Sequence, residues 1–134
     1  MCRENYSLLI IKKAEGDRMI HIHKSRGRIE IQMDAYLMGT DDVVILISGG
    51  DRPHLGTITT GTKDQPLQTI QFQQHQEFYI TEEIAMNLRK HWRGNFAICG
   101  GIHIDQINRE EINQLIEMVV EMGNELILKL QEKQ

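Results

Sequence analysis

The sequence predicts an α+β fold in which a mostly antiparallel β-sheet of about six to seven strands is packed by two helices. Three observations support this prediction. Residues 28–38 alternate apolar and polar side chains at the period of a strand with one buried face. Residues 43–48 form a continuous β-branched and apolar run, typical of a central strand covered on both faces. Two later segments, 81–93 and 108–130, carry the capping residues of helices.

The predicted strands follow one another with short turns between them. In chain order they are 7–12, 19–24, 28–38, 43–48, 56–62, 67–72 and 95–104. The first two form a hairpin around the turn Glu15-Gly16-Asp17. Pro66 restricts the strand beside it to a sheet edge or a strand start, because proline has no N–H to donate to a ladder. The short connections favour an antiparallel meander.

The first helix is predicted from its two ends. Thr81 is the expected N-cap, and the acidic Glu82 and Glu83 follow it in the first turn. Gly94 is the expected stop. The basic residues near that end, which suit the negative end of the helix dipole, are Arg89, Lys90 and Arg93.

The second helix is predicted to begin at Asn108, with Glu111 completing a capping box. Its apolar stripe consists of Ile112, Leu115, Ile116, Val119, Leu126, Ile127 and Leu130. Gly123 interrupts the stripe. Since glycine lowers helix propensity by about 1 kcal/mol relative to alanine, we expect a close approach to a sheet or a partner at this point.

Length and charge limit the functional classes. A chain of 134 residues with 40% hydrophobic residues predicts one globular domain over 1–134. The net charge is -4, and the segment from Asp105 onward carries the whole acidic excess. Nucleic-acid binding is therefore not expected, because the phosphate backbone requires a basic face. The short cluster Lys24, Arg26 and Arg28 suits a single phosphate or carboxylate better than a duplex.

The sequence also predicts a cytoplasmic protein without a membrane span. No apolar run approaches the roughly 18 residues that a span requires, and the first residues lack the apolar segment of a secretory signal. Cys2 and Cys99 are too few for a disulfide framework and are expected to be free thiols. Cys99 lies in an apolar strand, where a raised thiol pKa is expected.

Two segments carry a Gly-Gly pair shortly before a histidine, and each follows a buried strand. Gly49-Gly50 precedes His54, and Gly100-Gly101 precedes His103. We interpret both pairs as turns, because glycine allows backbone conformations and close approaches that side chains forbid. Such loops can present N–H groups to an anion, and the second pair also stands just before a helix start. The alternative interpretation is a tight turn whose polar side chains face water.

Polar side chains near these glycines suit a small anionic ligand. Arg52 has paired donors for a phosphate or carboxylate, and His54 can donate to a ring carbonyl or a heterocycle. The spacing is neither a Walker loop nor GxGxxG, so no nucleotide motif is assigned. No serine or threonine stands in a nucleophile-elbow context, so a hydrolase is not supported.

Four histidines offer a rival interpretation, a metal-dependent enzyme. His21 and His23 share one face of a strand, a spacing that can hold a metal ion. With His54 and His103 they would form a four-histidine site. The spacing identifies no acidic partner for these rings, and alternating histidines on a solvent face are common, so no metal ligand is assigned.

Three segments together resemble the LpdD-like prenylated-flavin chaperones, which are associated with hydroxyarylic acid decarboxylases of the gallate and 4-hydroxybenzoate type. The segments are S-R-G-R-I-E at 25–30, Gly49-Gly50 followed by P-H-L-G at 53–56, and G-I-H-I-D at 101–105 before the last helix. The similarity extends in order and spacing over residues 7–130.

The resemblance implies a homodimer built like the small proteasome-assembly chaperones, with a sheet packed by helices. It also implies binding of reduced prenylated flavin mononucleotide and assistance in its incorporation into an apo aromatic-acid decarboxylase. Such small proteins are often labelled decarboxylase subunits. The sequence offers no prenylated-flavin chemistry of its own, so we expect an accessory protein without catalytic residues.

The implied flavin site combines both Gly-Gly segments with the basic cluster. Its expected cofactor-binding residues are Arg26, Arg28, Gly49, Gly50, Arg52, His54, Gly56, Gly100, Gly101 and His103. The arginines would hold the phosphate, and the histidines and glycine backbones would approach the ring system. A second rival remains, a protein-interaction module without a small ligand.

Overall fold

A computed structural model describes residues 18–72 and 78–133 of the chain, with the side chains of the second range described from residue 80. These residues form six strands and two helices. In chain order they are β1 (Met19–Arg26), β2 (Ile29–Met38), β3 (Asp42–Gly50), β4 (Thr57–Thr62), β5 (Gln65–Gln71), α1 (Phe78–His91), β6 (Phe96–His103) and α2 (Arg109–Glu132). The predicted α+β class is confirmed. The predicted strand 7–12 and its hairpin lie outside the described residues.

The strands form one sheet in the order β1-β2-β3-β6-β4-β5. Neighbours pair antiparallel except β3 and β6, which run parallel. β6 therefore separates β3 from β4, and the β4–β5 hairpin joins the sheet through β6. The expected edge position beside Pro66 is confirmed, because β5 is the last strand of the order.

Both helices pack on the same face of the sheet. α2 lies against β1 and β2, and α1 lies against β4, β5 and β6. Strand alternation directs the apolar side chains to this face, as in β2, where every second residue from Ile29 to Leu37 is buried. The core includes Ile31, Met33, Ile45, Ile98, Leu88, Trp92, Met118, Met122 and Leu126. Burial of this apolar surface is the main stabilising contribution to the fold.

The opposite face of the sheet carries no helix among the described residues, and we call it the helix-free face. One row of directly paired residues crosses it from β1 to β5: His21, Asp34, Leu46, Cys99, Ile58 and Ile70. The row is polar at β1 and β2 and apolar over the other four strands. Burial in the apolar part raises the pKa of the Cys99 thiol, as expected from the sequence.

The Gly-Gly pairs do not form turns, which corrects the sequence interpretation. Gly49 and Gly50 end β3, and Gly100 and Gly101 lie inside β6. Gly50 has φ +77°, and a Cβ on it would stand 2.1 Å from the carbonyl oxygen of His103. A Cβ on Gly100 would stand 1.8 Å from the carbonyl oxygen of Ile47. These glycines are needed because neighbouring backbones pass closely.

The first helix begins earlier than predicted. α1 starts at Phe78, so Thr81 lies inside the helix and is not its N-cap. The Thr81 side chain is buried, and its hydroxyl lies 2.9 Å from the hydroxyls of both Thr57 and Thr59. Thr81 therefore hydrogen-bonds to β4 and does not cap the helix, although local capping preferences favour a threonine at a helix start.

The second helix has the predicted start, and five of the seven residues of its predicted stripe are buried. Asn108 is the N-cap, and its reciprocal bonds with Glu111 form the expected capping box. Ile112 and Ile116 are exposed, whereas Met118 and Met122 are fully buried. The expected close approach of a sheet to Gly123 is not found, since a Cβ there would meet only the Asn87 Nδ2 atom, at 3.8 Å, and the approach of a partner stays a prediction. Among the described residues, neither helix combines the length and apolarity needed to cross a bilayer.

Candidate functional site

The carboxyl ends of β3 and β6 lie side by side because the two strands run parallel, and Gly50 pairs with His103 there. The segment after β3 crosses the end of β6. The Asp51 N–H donates to the His103 carbonyl at 2.7 Å, and the Gly56 N–H donates to the Gly100 carbonyl at 3.0 Å. The structure thus brings both Gly-Gly pairs to one edge of the sheet, which we call the glycine edge.

Arg52, His103 and Asp105 form a polar triangle on the glycine edge. Arg52 Nη2 donates to Asp105 Oδ1 at 2.8 Å and lies 3.2 Å from His103 Nε2. His103 Nε2 is also 2.9 Å from Asp105 Oδ1. The hydrogen bond from Arg52, followed by that from His103, lowers the pKa of Asp105. The positive charge of Arg52 therefore has a carboxylate partner within the protein.

His54 packs over β6 next to this triangle. Its Nδ1 lies 3.0 Å from the Arg52 carbonyl, and its ring centroid lies 6.4 Å from that of His103 at an interplanar angle of 71°. A Cβ on Gly101 would stand 3.0 Å from His54 Nε2 and 2.8 Å from the His54 carbonyl oxygen. Because His54 packs directly against Gly101, a residue with a side chain would collide with it at this position.

Arg28 reaches the glycine edge from the turn between β1 and β2. Its guanidinium binds Glu111 through two bonds, Nε to Oε2 at 2.6 Å and Nη2 to Oε1 at 3.0 Å, and donates to the Asp105 carbonyl at 2.8 Å. The bond from Arg28 lowers the pKa of Glu111, and the same bond raises that of Arg28. Asp51 completes the arrangement by accepting the Asp105 N–H at 2.8 Å.

Arg26 does not join the other expected site residues. It lies at the end of β1, where Nη1 is 2.9 Å from Glu117 Oε2 and Nη2 is 3.5 Å from Glu121 Oε1. Lys24 contacts Glu121 at 3.0 Å, and this bond is the main cause of the lowered pKa of Glu121. Lys24 and Arg26 of the basic cluster therefore form ion pairs that connect β1 to α2.

Sequence reasoning missed the carboxylates that pair with the arginines. Glu111, Glu117 and Glu121 lie on α2, far along the chain from their partners on β1 and in the β1–β2 turn. One signal was present: Glu117 and Glu121 stand at i, i+4, so this part of α2 carries an acidic face. The pattern gave no means of knowing which strand that face would meet.

The proposed four-histidine metal site is not assembled. His21 pairs with Asp34, and His23 Nε2 lies 2.8 Å from Glu30 Oε1, both across β1 and β2. β2 and β3 separate this pair from β6, which carries His103. Within residues 18–72 and 78–133, no group of three or more histidine, cysteine or acidic side chains could hold a metal ion.

A cavity of about 220 Å³ opens beside Gly49 and Gly50. Its other lining residues are Glu30, Gln32, Ser48 and Pro53. These side chains offer neutral hydrogen-bonding groups and one carboxylate. The lining suits a polar heterocycle better than a phosphate, which would meet the Glu30 carboxylate.

The fold of this chain is similar to a fold found in a complex for proteasome assembly. A chain in the crystal structure of a novel chaperone complex for yeast 20S proteasome assembly matches this protein with a TM-score of 0.57. The match covers 84% of this chain and 98% of that chain at 6% sequence identity, so it shows the fold alone.

Sequence comparison defines the family. The model of the prenylated flavin chaperone LpdD-like domain matches residues 25–131. Protein LpdD of Lactiplantibacillus plantarum is 30% identical, over 67% of this chain and 70% of the relative. The chain belongs to the LpdD-like chaperone family, which confirms the resemblance predicted from the sequence and supports a chaperone role.

Proposed function

We propose that this protein binds reduced prenylated flavin mononucleotide in the cytoplasm and assists its incorporation into an apo aromatic-acid decarboxylase, without catalysing decarboxylation itself. The observation that carries this proposal is the family match over residues 25–131. That range contains every expected cofactor-binding residue, and the structure brings all of them except Arg26 to the glycine edge or its immediate neighbours.

The proposed flavin site is the cavity beside Gly49 together with the exposed Arg52 and the half-buried His54 and His103. Arg52 uses Nη2 for its contacts with Asp105 and His103, so its remaining guanidinium nitrogens are the proposed donors to the ligand. The close backbones at Gly49, Gly50, Gly100 and Gly101, with Gly56 bonded to Gly100, give the ring system a flat surface. Arg28 would support the site by holding the loop at Asp105.

The test is an anaerobic calorimetric titration of the reduced cofactor into wild-type protein and into Arg52→Ala and His54→Ala. We expect both substitutions to weaken binding by about ten- to a hundredfold, since a hydrogen bond to a charged group contributes roughly 1.5–3 kcal/mol. His21→Ala, an exposed histidine on β1, is the matched control. Unchanged affinity in both variants would refute the site, and a purified apo-decarboxylase activated equally well without the protein would refute the assisting role.

We further propose that the functional unit is a homodimer joined through the helix-free face. Leu46 and Ile70 on this face are 54% and 60% exposed. Six strands spaced about 4.8 Å apart and seven residues long present roughly 650 Å², close to the ~800 Å² per partner of a stable interface. Two such sheets can pack face to face, as in a β-sandwich.

The ion pairs of the basic cluster favour a second candidate, an assembly module without a small ligand. Arg26 and Arg28 bind carboxylates of α2, and this gives them a structural role that needs no phosphate. Co-elution with a decarboxylase, combined with no measurable affinity for reduced flavins, would select this candidate over the flavin chaperone.

A further inference from the structure

The end of the molecule opposite the glycine edge carries a basic cleft. It lies where α1 ends and β4 turns into β5, with a volume of about 310 Å³. The lining residues are Lys63, Lys90, His91, Trp92 and Arg93. All are cationic or can become so except Trp92, and they come from two separate segments of the chain. We call this feature the basic cleft.

The positive charges of the basic cleft are poorly matched by carboxylates. Arg93 has Asp41 as a distant partner, with 3.7 Å between Nε and Oδ1. Across the described residues, Lys63, Lys90 and His91 have no ion pair with a carboxylate. The arginines of the glycine edge, by contrast, bind Asp105 and Glu111 at 2.6–2.8 Å. Lys63 and Lys90 thus stand at this cleft without a carboxylate within 4.0 Å among the described residues, although the whole chain is acidic.

The helix dipole explains only part of this concentration. Basic residues favour the last turn of a helix, and Arg89, Lys90 and His91 occupy the last turn of α1. Lys63 belongs to the β4–β5 turn, and Arg93 follows the helix, so their placement around the same cleft has no such cause. Convergence of cations from different segments is expected of an oxyanion site.

Backbone contacts hold the walls of the cleft together. The Arg89 side chain donates to the Lys63 carbonyl at 3.3 Å, which fixes the β4–β5 turn against α1. Gly94 lies so close to the β2–β3 loop that a Cβ would stand 1.6 Å from the Asp41 carbonyl oxygen. The Asn95 N–H then donates to Asp42 Oδ1 at 2.9 Å. The cationic side chains therefore project from a fixed frame, which lowers the entropic cost of binding a ligand.

Trp92 supplies an independent observation. Its side chain is 2% exposed and lines the cleft, and its indole nitrogen Nε1 is buried with no hydrogen-bond partner. Burying an N–H donor without an acceptor is unfavourable by about 1–3 kcal/mol. An oxyanion bound in the cleft would offer an acceptor to this donor.

We propose that the basic cleft binds a phosphate group, either free phosphate or the phosphate monoester of a larger molecule. Lys63, Lys90 and Arg93 would neutralise its charge, and Trp92 would donate to one oxygen. The nine residues of β3 separate this cleft from the glycine edge by about 26 Å, at 3.3 Å per residue. The cleft is therefore a different site from the one assigned to the flavin ring.

The chain contains one tryptophan, so its fluorescence reports on this cleft directly. We expect inorganic phosphate at low ionic strength to change the Trp92 emission in a saturable manner, with binding heat of the same affinity in calorimetry. The double substitution Lys63→Gln and Lys90→Gln should weaken binding at least tenfold. Arg109→Gln removes a charge at the other end of the molecule and should leave it unchanged. Lys63→Gln alone changes the β4–β5 turn and keeps Lys90 in the helix. If the double variant does not fold, weaker phosphate binding by this single variant still tests the site.

The proposal is overturned if neither signal detects phosphate, or if the double variant binds phosphate as tightly as the wild-type protein. The source of the phosphate is then found by competition in calorimetry. Displacement by oxidised flavin mononucleotide, but not by riboflavin, assigns the cleft to a phosphate monoester, whereas phosphate binding that flavin mononucleotide does not displace assigns it to free phosphate. Both outcomes support the site, and neither depends on the proposed flavin function.

Discussion

The contact of Arg28 with Glu111 shows how one side chain can connect the β1–β2 turn to the start of α2. One guanidinium binds the first turn of α2 and the carbonyl of Asp105 together. Glu111 also accepts the Asn108 N–H in the capping box. The same carboxylate thus caps a helix and fixes the β1–β2 turn, so its removal affects two elements.

We expect Glu111→Gln to lower the free energy of unfolding at neutral pH. The folded-state pKa of Glu111 lies below its ordinary value of 4.5, so its stabilising contribution is present above that pH. The contribution is lost as the pH falls through the lowered folded-state pKa. Urea unfolding across this range should therefore show a difference from wild type that disappears in acid. Glu110→Gln, the neighbouring first-turn acid, is the control, and a difference independent of pH would contradict the prediction.

Gly50 and Gly39 provide a matched pair for testing the close backbone contact at the glycine edge. Both have positive φ, but a Cβ on Gly39 would meet open space. Gly39→Ala should therefore lower stability by about 1–2 kcal/mol, the conformational cost alone. Gly50→Ala adds the collision with the His103 carbonyl and should be clearly more destabilising in urea unfolding. Equal effects would show that β3 and β6 can separate at this point.

At the scale of elements, the helices differ in how far local sequence determines them. The start of α2 was predictable, because Asn108 and Glu111 satisfy each other within one turn. The start of α1 was not, because Thr81 bonds to β4, and no local pattern records that partner. Likewise, the pattern of apolar and polar residues predicts the ends of β1 to β6 to within one or two residues. The parallel pairing of β3 and β6 depends on long-range topology and could not be predicted from that pattern.

The same limit applies to the candidate site. The sequence predicts that Arg52, His54, His103 and the glycines share a site, and in the structure they lie at one edge, while their binding of a ligand stays a prediction. It could not show that Arg26 faces α2, because that contact joins residues 91 positions apart.

Gly123 tests the packing of α2 against α1. Since a Cβ at this position would stand 3.8 Å from Asn87 Nδ2, an ordinary contact distance, alanine fits without displacing a neighbour. We expect Gly123→Ala to stabilise the protein by up to about 1 kcal/mol through helix propensity. Thermal and urea unfolding would measure the gain. A loss of stability would indicate that another surface, such as a partner, approaches α2 at Gly123.

At the scale of the whole molecule, the two faces of the sheet are unequally covered. If the helix-free face joins two copies, Leu46→Asp and Ile70→Asp should shift the protein from dimer to monomer in sedimentation velocity, because a buried charge at an apolar interface is unfavourable. Ile116→Asp is the control, since Ile116 is 49% exposed on α2, on the helical side. An unchanged sedimentation coefficient in the first two variants would exclude this interface.

The position of β6 between β3 and β4 also determines the order in which the chain can assemble. β1, β2 and β3 are joined by short local connections, as are β4 and β5, but the two groups have no shared ladder until β6 arrives. Because β6 is synthesised after α1, we expect two partly ordered halves to precede the native state. Pulsed hydrogen exchange during refolding should show the amides within β1–β3 and within β4–β5 protected before those that join β6 to β3 and β4. A nascent chain in which only β1 to β5 have left the ribosome can therefore form two separate parts of the sheet. The eight residues of β6 then join these two parts.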